Sequence, residues 1–117
     1  MKLDRDAELA MLELEVKPKI QKARECLREG KTEEMGKIIA RDMVGLFQTY
    51  KKSETEKYDN APDNLKGSPN SERMLKNAGL YQEAINLLWD EETDTLRPVD
   101  ENTLDAVDNI VNNIMHS

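Results

Sequence analysis

Leu9, Leu12, Val16, Ile20, Ala23 and Leu27 follow one another in steps of three or four residues. That spacing lines them along one face of a helix, whereas a strand would scatter them over both of its faces. A second row, Leu3, Ala7, Met11 and Leu14, widens the apolar stripe. Pro18 stands in the middle; it lacks an N–H and its ring crowds the carbonyl four residues earlier. The stripe nevertheless stays in phase across it. The expectation is one helix over residues 3–29, kinked at Pro18 and stopped by Gly30.

The same period recurs three times. Met35, Ile38/Ile39, Met43, Leu46/Phe47 and Tyr50 predict a helix over 32–55, with Thr32 as N-cap and Glu33 and Glu34 favourable in its first turn. Gly36 and Gly45 interrupt it at about 1 kcal/mol each, for which close helix packing is the natural reason. Met74/Leu75, Ala78, Tyr81, Ile85 and Leu88, with Trp89 beside them, predict a helix over 69–91 that opens on Ser68-Pro69 and is open to a break at Gly79. Leu104, Val107, Ile110/Val111 and Ile114 predict a helix over 101–115, capped by Asp100, with Val99 placed to staple onto Leu104. Asp105, Asp108, Asn109 and Asn112 fall on its outer face. No strand pattern and no Asn-Gly or Asp-Gly turn appears.

The fold class expected is therefore all-α: a single domain over residues 1–117, an antiparallel bundle of about four helices. Its one evident loop covers 59–68 and runs on to Asn70; it is rich in Pro, Gly, Asn and Asp. The fourth helix is the shortest, so an uncovered part of the first two would favour a homodimer. Ala78-Gly79-Leu80-Tyr81-Gln82-Glu83-Ala84-Ile85 resembles the inter-helix turn of a tetratricopeptide repeat, and Gly30 to Met35 is a fainter version. The two glycines lie 49 positions apart, against a repeat of about 34. The resemblance implies helical-hairpin chemistry and carries no function with it.

Composition narrows the function classes. Only 4% of residues are aromatic, so the core must be aliphatic with Met as filler. The longest apolar run is Met43 to Phe47, far below the roughly 20 residues of a membrane span. The first residues carry acids and no apolar segment, so no secretory signal is visible. One cysteine, Cys26, excludes an internal disulfide and fits a reducing, cytoplasmic location; it is expected as a buried, inert thiol. With His116 the only histidine, structural zinc sites and Cys-His nucleophiles are not expected. There is no Gly-rich phosphate loop, GxSxG or HExxH. Neighbouring carboxylates such as Glu13/Glu15 and Glu33/Glu34 do not aim at one point on a helix. The expectation is a non-enzyme with no cofactor and no metal.

Charge supplies the candidate site. The net charge is −7, yet residues 1–58 sum to +1 and residues 59–117 to −8. The acids gather at Asp90, Glu91, Glu92, Asp94, Asp100, Glu101, Asp105 and Asp108, with Trp89 as a neighbouring anchor for a partner. They form the candidate partner-binding set. Its expected partner is a basic protein, including one that itself binds nucleic acid, since spread carboxylates imitate a phosphate track. Lys17, Lys19, Lys22, Arg24, Arg28 and Lys31 face only Glu25 and Glu29. They read as a solvated face, or as a partner for the acidic end within the chain or across a dimer; direct contact with nucleic acid or membrane is not expected. Asp90, Glu92, Asp94 and Glu101 stand at positions 1, 3, 5 and 12 of a calcium-loop pattern, but Thr95 replaces the required Gly and Pro98 falls at position nine.

The leading expectation is a small acidic protein that acts by stoichiometric association, as an inhibitor, adaptor or immunity or anti-defence type. Phage anti-defence proteins and toxin antidotes often have this size and charge, which is an analogy and not an inference from a site. The alternatives are a structural or regulatory homo-oligomer on the first two helices, and a bundle enzyme with a carboxylate metal site.

Overall fold

The computed structural model describes residues 4–117. Four helices run up, down, up and down: α1 over residues 5–28, α2 over 32–59, α3 over Pro69–Leu88 and α4 over Glu101–Met115. A two-stranded hairpin, β1 (Trp89–Asp90) and β2 (Thr95–Leu96), lies between α3 and α4. The molecule measures 52 × 29 × 24 Å. Leu3, placed on the first stripe, lies outside the described residues.

Helix α1 passes through Pro18 without interruption. Its turn at Leu12–Val16 is π-helical, and the Lys17 N–H bonds to the Leu12 carbonyl five residues back. This widened turn contains Leu14, the carbonyl that the Pro18 ring would otherwise crowd. Asp4 caps the helix by accepting from the Ala7 N–H at 2.7 Å. Gly30, at φ +75, makes the stop expected of it. Leu14 does not join the core; at 73% exposed it faces out. It stands two residues from both Leu12 and Val16, which puts it on the opposite side of the helix.

Helix α2 holds Met35, Ile39, Met43, Val44, Phe47 and Tyr50 in the core. It contains a second π-helical turn at Ile38–Met43. It begins at Thr32, but the capping position is Lys31 and no side chain caps it. It also continues past residue 55 to Asp59, because Ser53 and Glu54 are buried and hold the polar last turns against the bundle. The connection that follows contains a short 3-10 turn, Asp63–Leu65.

Helix α3 starts on the Ser68 cap with Pro69 first, as the sequence predicts. Gly79 does not break it; the residue sits exposed inside one continuous helix. The helix ends at Leu88, short of residue 91, because the chain turns into the hairpin. Leu75 points outward, 57% exposed. Of the two glycines in α2, only Gly36 serves close packing: a Cβ there would come within 3.3 Å of the Leu96 side chain. Nothing lies within 4 Å of such an atom at Gly45.

Helix α4 is capped by Asp100 through a reciprocal box with Thr103, which holds the Asp100 carboxyl below its usual range. It buries Leu104, Val107, Val111 and Ile114. The centre of the core is aromatic, with Tyr81 6.2 Å from Phe47 and 5.8 Å from Tyr50, ring to ring. Cys26 is buried, its Sγ 4.0 Å from Glu34 Oε2. Among the described residues no helix is long and apolar enough to cross a membrane.

Candidate functional site

The structure divides the acidic set in two. Glu101, Asp105 and Asp108 form a ladder of ion pairs with α1. Arg28 Nε meets Glu101 at 2.7 Å, Arg24 meets Asp105 at 2.6 Å, and Lys17 Nζ meets Asp108 at 2.8 Å and also bonds Asn112. The basic and acidic halves of the chain thus meet inside one molecule. Asp108 and Asn112 belong to the seam between α1 and α4 and are half-buried there. Asp100 is occupied as a helix cap.

The other acids sit on the hairpin. Trp89 pairs with Leu96 and Asp90 with Thr95, leaving Glu91, Glu92, Thr93 and Asp94 as the turn. Asp90 Oδ1 accepts from the N–H groups of Glu92 and Thr93 at 3.0 and 3.3 Å, a side-chain turn that replaces the missing Asn-Gly. Asp94 takes a positive φ of 54, which Asp tolerates better than most residues. Its carboxylate accepts from Trp89 Nε1 at 3.1 Å. Gln82 of α3 donates to Glu91 at 2.6 Å and accepts from Lys51 of α2 at 2.6 Å, which ties the turn to two helices. Leu96 rests on Gly36 from the other side.

The result is a braced acidic tip. Glu91, Glu92 and Asp94 are exposed, and Asp90 and Trp89 are half-buried. Among the described residues none of these four acids makes an ion pair. An open groove of about 570 Å³ beside the tip is lined by Lys51, Gln82, Trp89, Glu91, Glu92 and Arg97, among others. The calcium-loop positions do not converge: Asp94 is held by Trp89, and Glu101 is drawn away to Arg28. Among the described residues no group of three or more His, Cys, Asp or Glu side chains is gathered as for a metal ion.

A second polar cluster, between α1 and α2, was not among the candidates. Glu8 of α1 and Glu54 of α2 are both buried, and the Glu54 carboxyl lies near enough to act on that of Glu8. Arg5 pairs with Glu8 at 2.8 Å and Lys57 with Glu54 at 2.7 Å. Burial, and then the Glu54 carboxyl, push the Glu8 carboxyl up to about 7. The Tyr81 hydroxyl points at Glu8 without meeting full hydrogen-bond geometry. Burial holds the Tyr50 hydroxyl up to about 12, with Glu15 and Glu8 adding to it, and drives Tyr81 upward too. A signal existed in the sequence: Glu8 precedes Leu12 by four residues and Glu54 follows Tyr50 by four, so each extends a buried stripe by one step.

No protein-family model, curated protein or solved structure matches the chain.

Proposed function

We propose that the protein is a non-catalytic binding module that associates stoichiometrically with a basic protein partner through the hairpin tip. The contact set is Trp89, Asp90, Glu91, Glu92 and Asp94; Asp100, Glu101, Asp105 and Asp108 serve the fold instead. The single observation behind this reading is the contrast between the two groups of acids. Those on α4 are paired or capping, while those on the turn stand unpaired on a backbone braced by Gln82, Leu96 and Trp89. A rigid, preorganised cluster of like charge meets a basic surface with little ordering cost. It also speeds encounter in a salt-dependent way.

The test compares immobilised wild-type protein with a Glu91→Lys, Glu92→Lys, Asp94→Lys variant in lysate of the source cell, eluted in rising salt. The expected result is a near-stoichiometric basic protein that leaves the wild type at moderate salt and is missing from the variant. Identical retained proteins on both would refute the proposal. The tip lies outside the core, so the variant should keep the wild-type helical circular dichroism.

A further inference from the structure

The outward side of α3 carries charges that the chain itself does not use. Lys76, Leu80, Glu83 and Leu87 follow one another in steps of three or four, so they form one row along the helix. Lys76 and Glu83 are exposed, while Leu80 and Leu87 are half-buried at the edge of the core. The two charges are separated by two helical turns, about 10 Å along the axis, which is too far for them to meet within the chain. Among the described residues neither makes an ion pair. Beside the row an open groove of about 490 Å³ lies between α3 and α4, lined by Glu83, Asn86, Leu87, Ala106, Asn109 and Ile110.

We propose that two copies of the chain pair through this α3–α4 face, antiparallel about a two-fold axis between Gly79 and Leu80, with Lys76 of each copy against Glu83 of the other.

Charge complementarity identifies the occupant. Lys76 and Glu83 stand at equal distances on either side of the Gly79–Leu80 midpoint. Turning a second copy end over end about that point brings its Glu83 level with Lys76, and the two-fold axis repeats the pair. The same operation sets like flanks of the two helices together, so row meets row. A parallel pairing would instead oppose Lys76 to Lys76 and Glu83 to Glu83. Leu80 of each copy falls over Gly79 of the other, which is exposed and bears no side chain to hold the helices apart. The apolar edges of Leu80 and Ile110 are covered at the same time. On α1 and α4, by contrast, the facing cations and acids already pair within the chain.

Size sets the strength. The row from Glu72 to Leu87 spans about 23 Å, and two helices side by side about 20 Å. Such a face covers roughly 900 Å² over both copies, the size of a weak, reversible pair. The dimer should therefore form on the order of 100 µM. Its two hairpins lie at opposite ends of the pair.

Sedimentation equilibrium of the full chain, up to about 500 µM, tests this. The wild type should fit a monomer–dimer equilibrium. Lys76→Glu and Glu83→Lys should each weaken the dimer at least about tenfold, since each sets two like charges against each other. The double variant, with both reversals, should return to within about threefold of the wild type. The single variants shift net charge in opposite directions, so weakening by both is not an effect of overall charge. Both positions are exposed, and helical circular dichroism should match the wild type in every variant. A wild type that stays monomeric throughout overturns the proposal by itself. So does a dimer that the single reversals leave unchanged, which would put the contact on another face, and so does a double variant no tighter than the single ones.

Discussion

Glu8 shows what a single residue does to the energetics of this chain. Its folded value is raised, so the stability it contributes is complete below about pH 4.5 and is lost as pH climbs through about 7. Global unfolding free energy should therefore fall between pH 5 and pH 8 by on the order of 2 kcal/mol. Urea unfolding at a series of pH values checks this, and Glu8→Gln should flatten the curve. The tyrosines offer a second test at this scale. Tyr50 and Tyr81 are fully buried with hydroxyls that lack a full partner, so Tyr81→Phe should change stability by under about 1 kcal/mol or raise it. Tyr81→Ala, which empties the middle of the aromatic cluster, should cost about 3–5 kcal/mol. Most apolar members of this core were legible from spacing, although Val44 and Ala84 lay outside the stripes and Leu14 and Leu75 proved to face outward. The buried acids were not, because a carboxylate beside a stripe is read as its solvated flank unless the neighbouring helix is known.

At the scale of elements, periodicity located the helices and missed what joins them. Helix α4 was legible over its whole length, with its cap, because Asp100 supplies the start and the apolar spacing is unbroken. The hairpin was invisible. Each of its strands is two residues long, too short for alternation to register, and an Asp side chain does the work of a glycine turn. The glycines separate cleanly on this basis. Gly45 and Gly79 lie inside helices with nothing near a prospective Cβ, so Gly45→Ala and Gly79→Ala should each stabilise by about 0.5–1 kcal/mol. Gly36→Leu should instead push Leu96 away and loosen the hairpin, at little cost to the bundle. Thermal melts decide the first expectation, and the fluorescence of Trp89, the only tryptophan, reports the second.

For the whole molecule, the charge asymmetry along the chain resolves into contact between its halves. The basic residues of α1 and the acids of α4 meet as antiparallel rungs, which also specify the direction of α4. Exposed rungs are worth little singly, so Asp105→Ala should cost under about 1 kcal/mol. Charge alone could not have told the paired acids from the free ones, since both lie in one run of sequence; the distinction depends on which helix packs beside α4. It also sets the sharpest test of function. Two variants of equal net charge should be compared for binding the captured partner by calorimetry: Glu91→Gln with Glu92→Gln on the tip, and Asp105→Asn with Asp108→Asn on the ladder. The account predicts that the tip variant loses at least tenfold in affinity while the ladder variant binds like the wild type. Equal losses in both would mean that net charge alone drives association, and a loss confined to the ladder variant would put the docking surface on α4; either result contradicts the account.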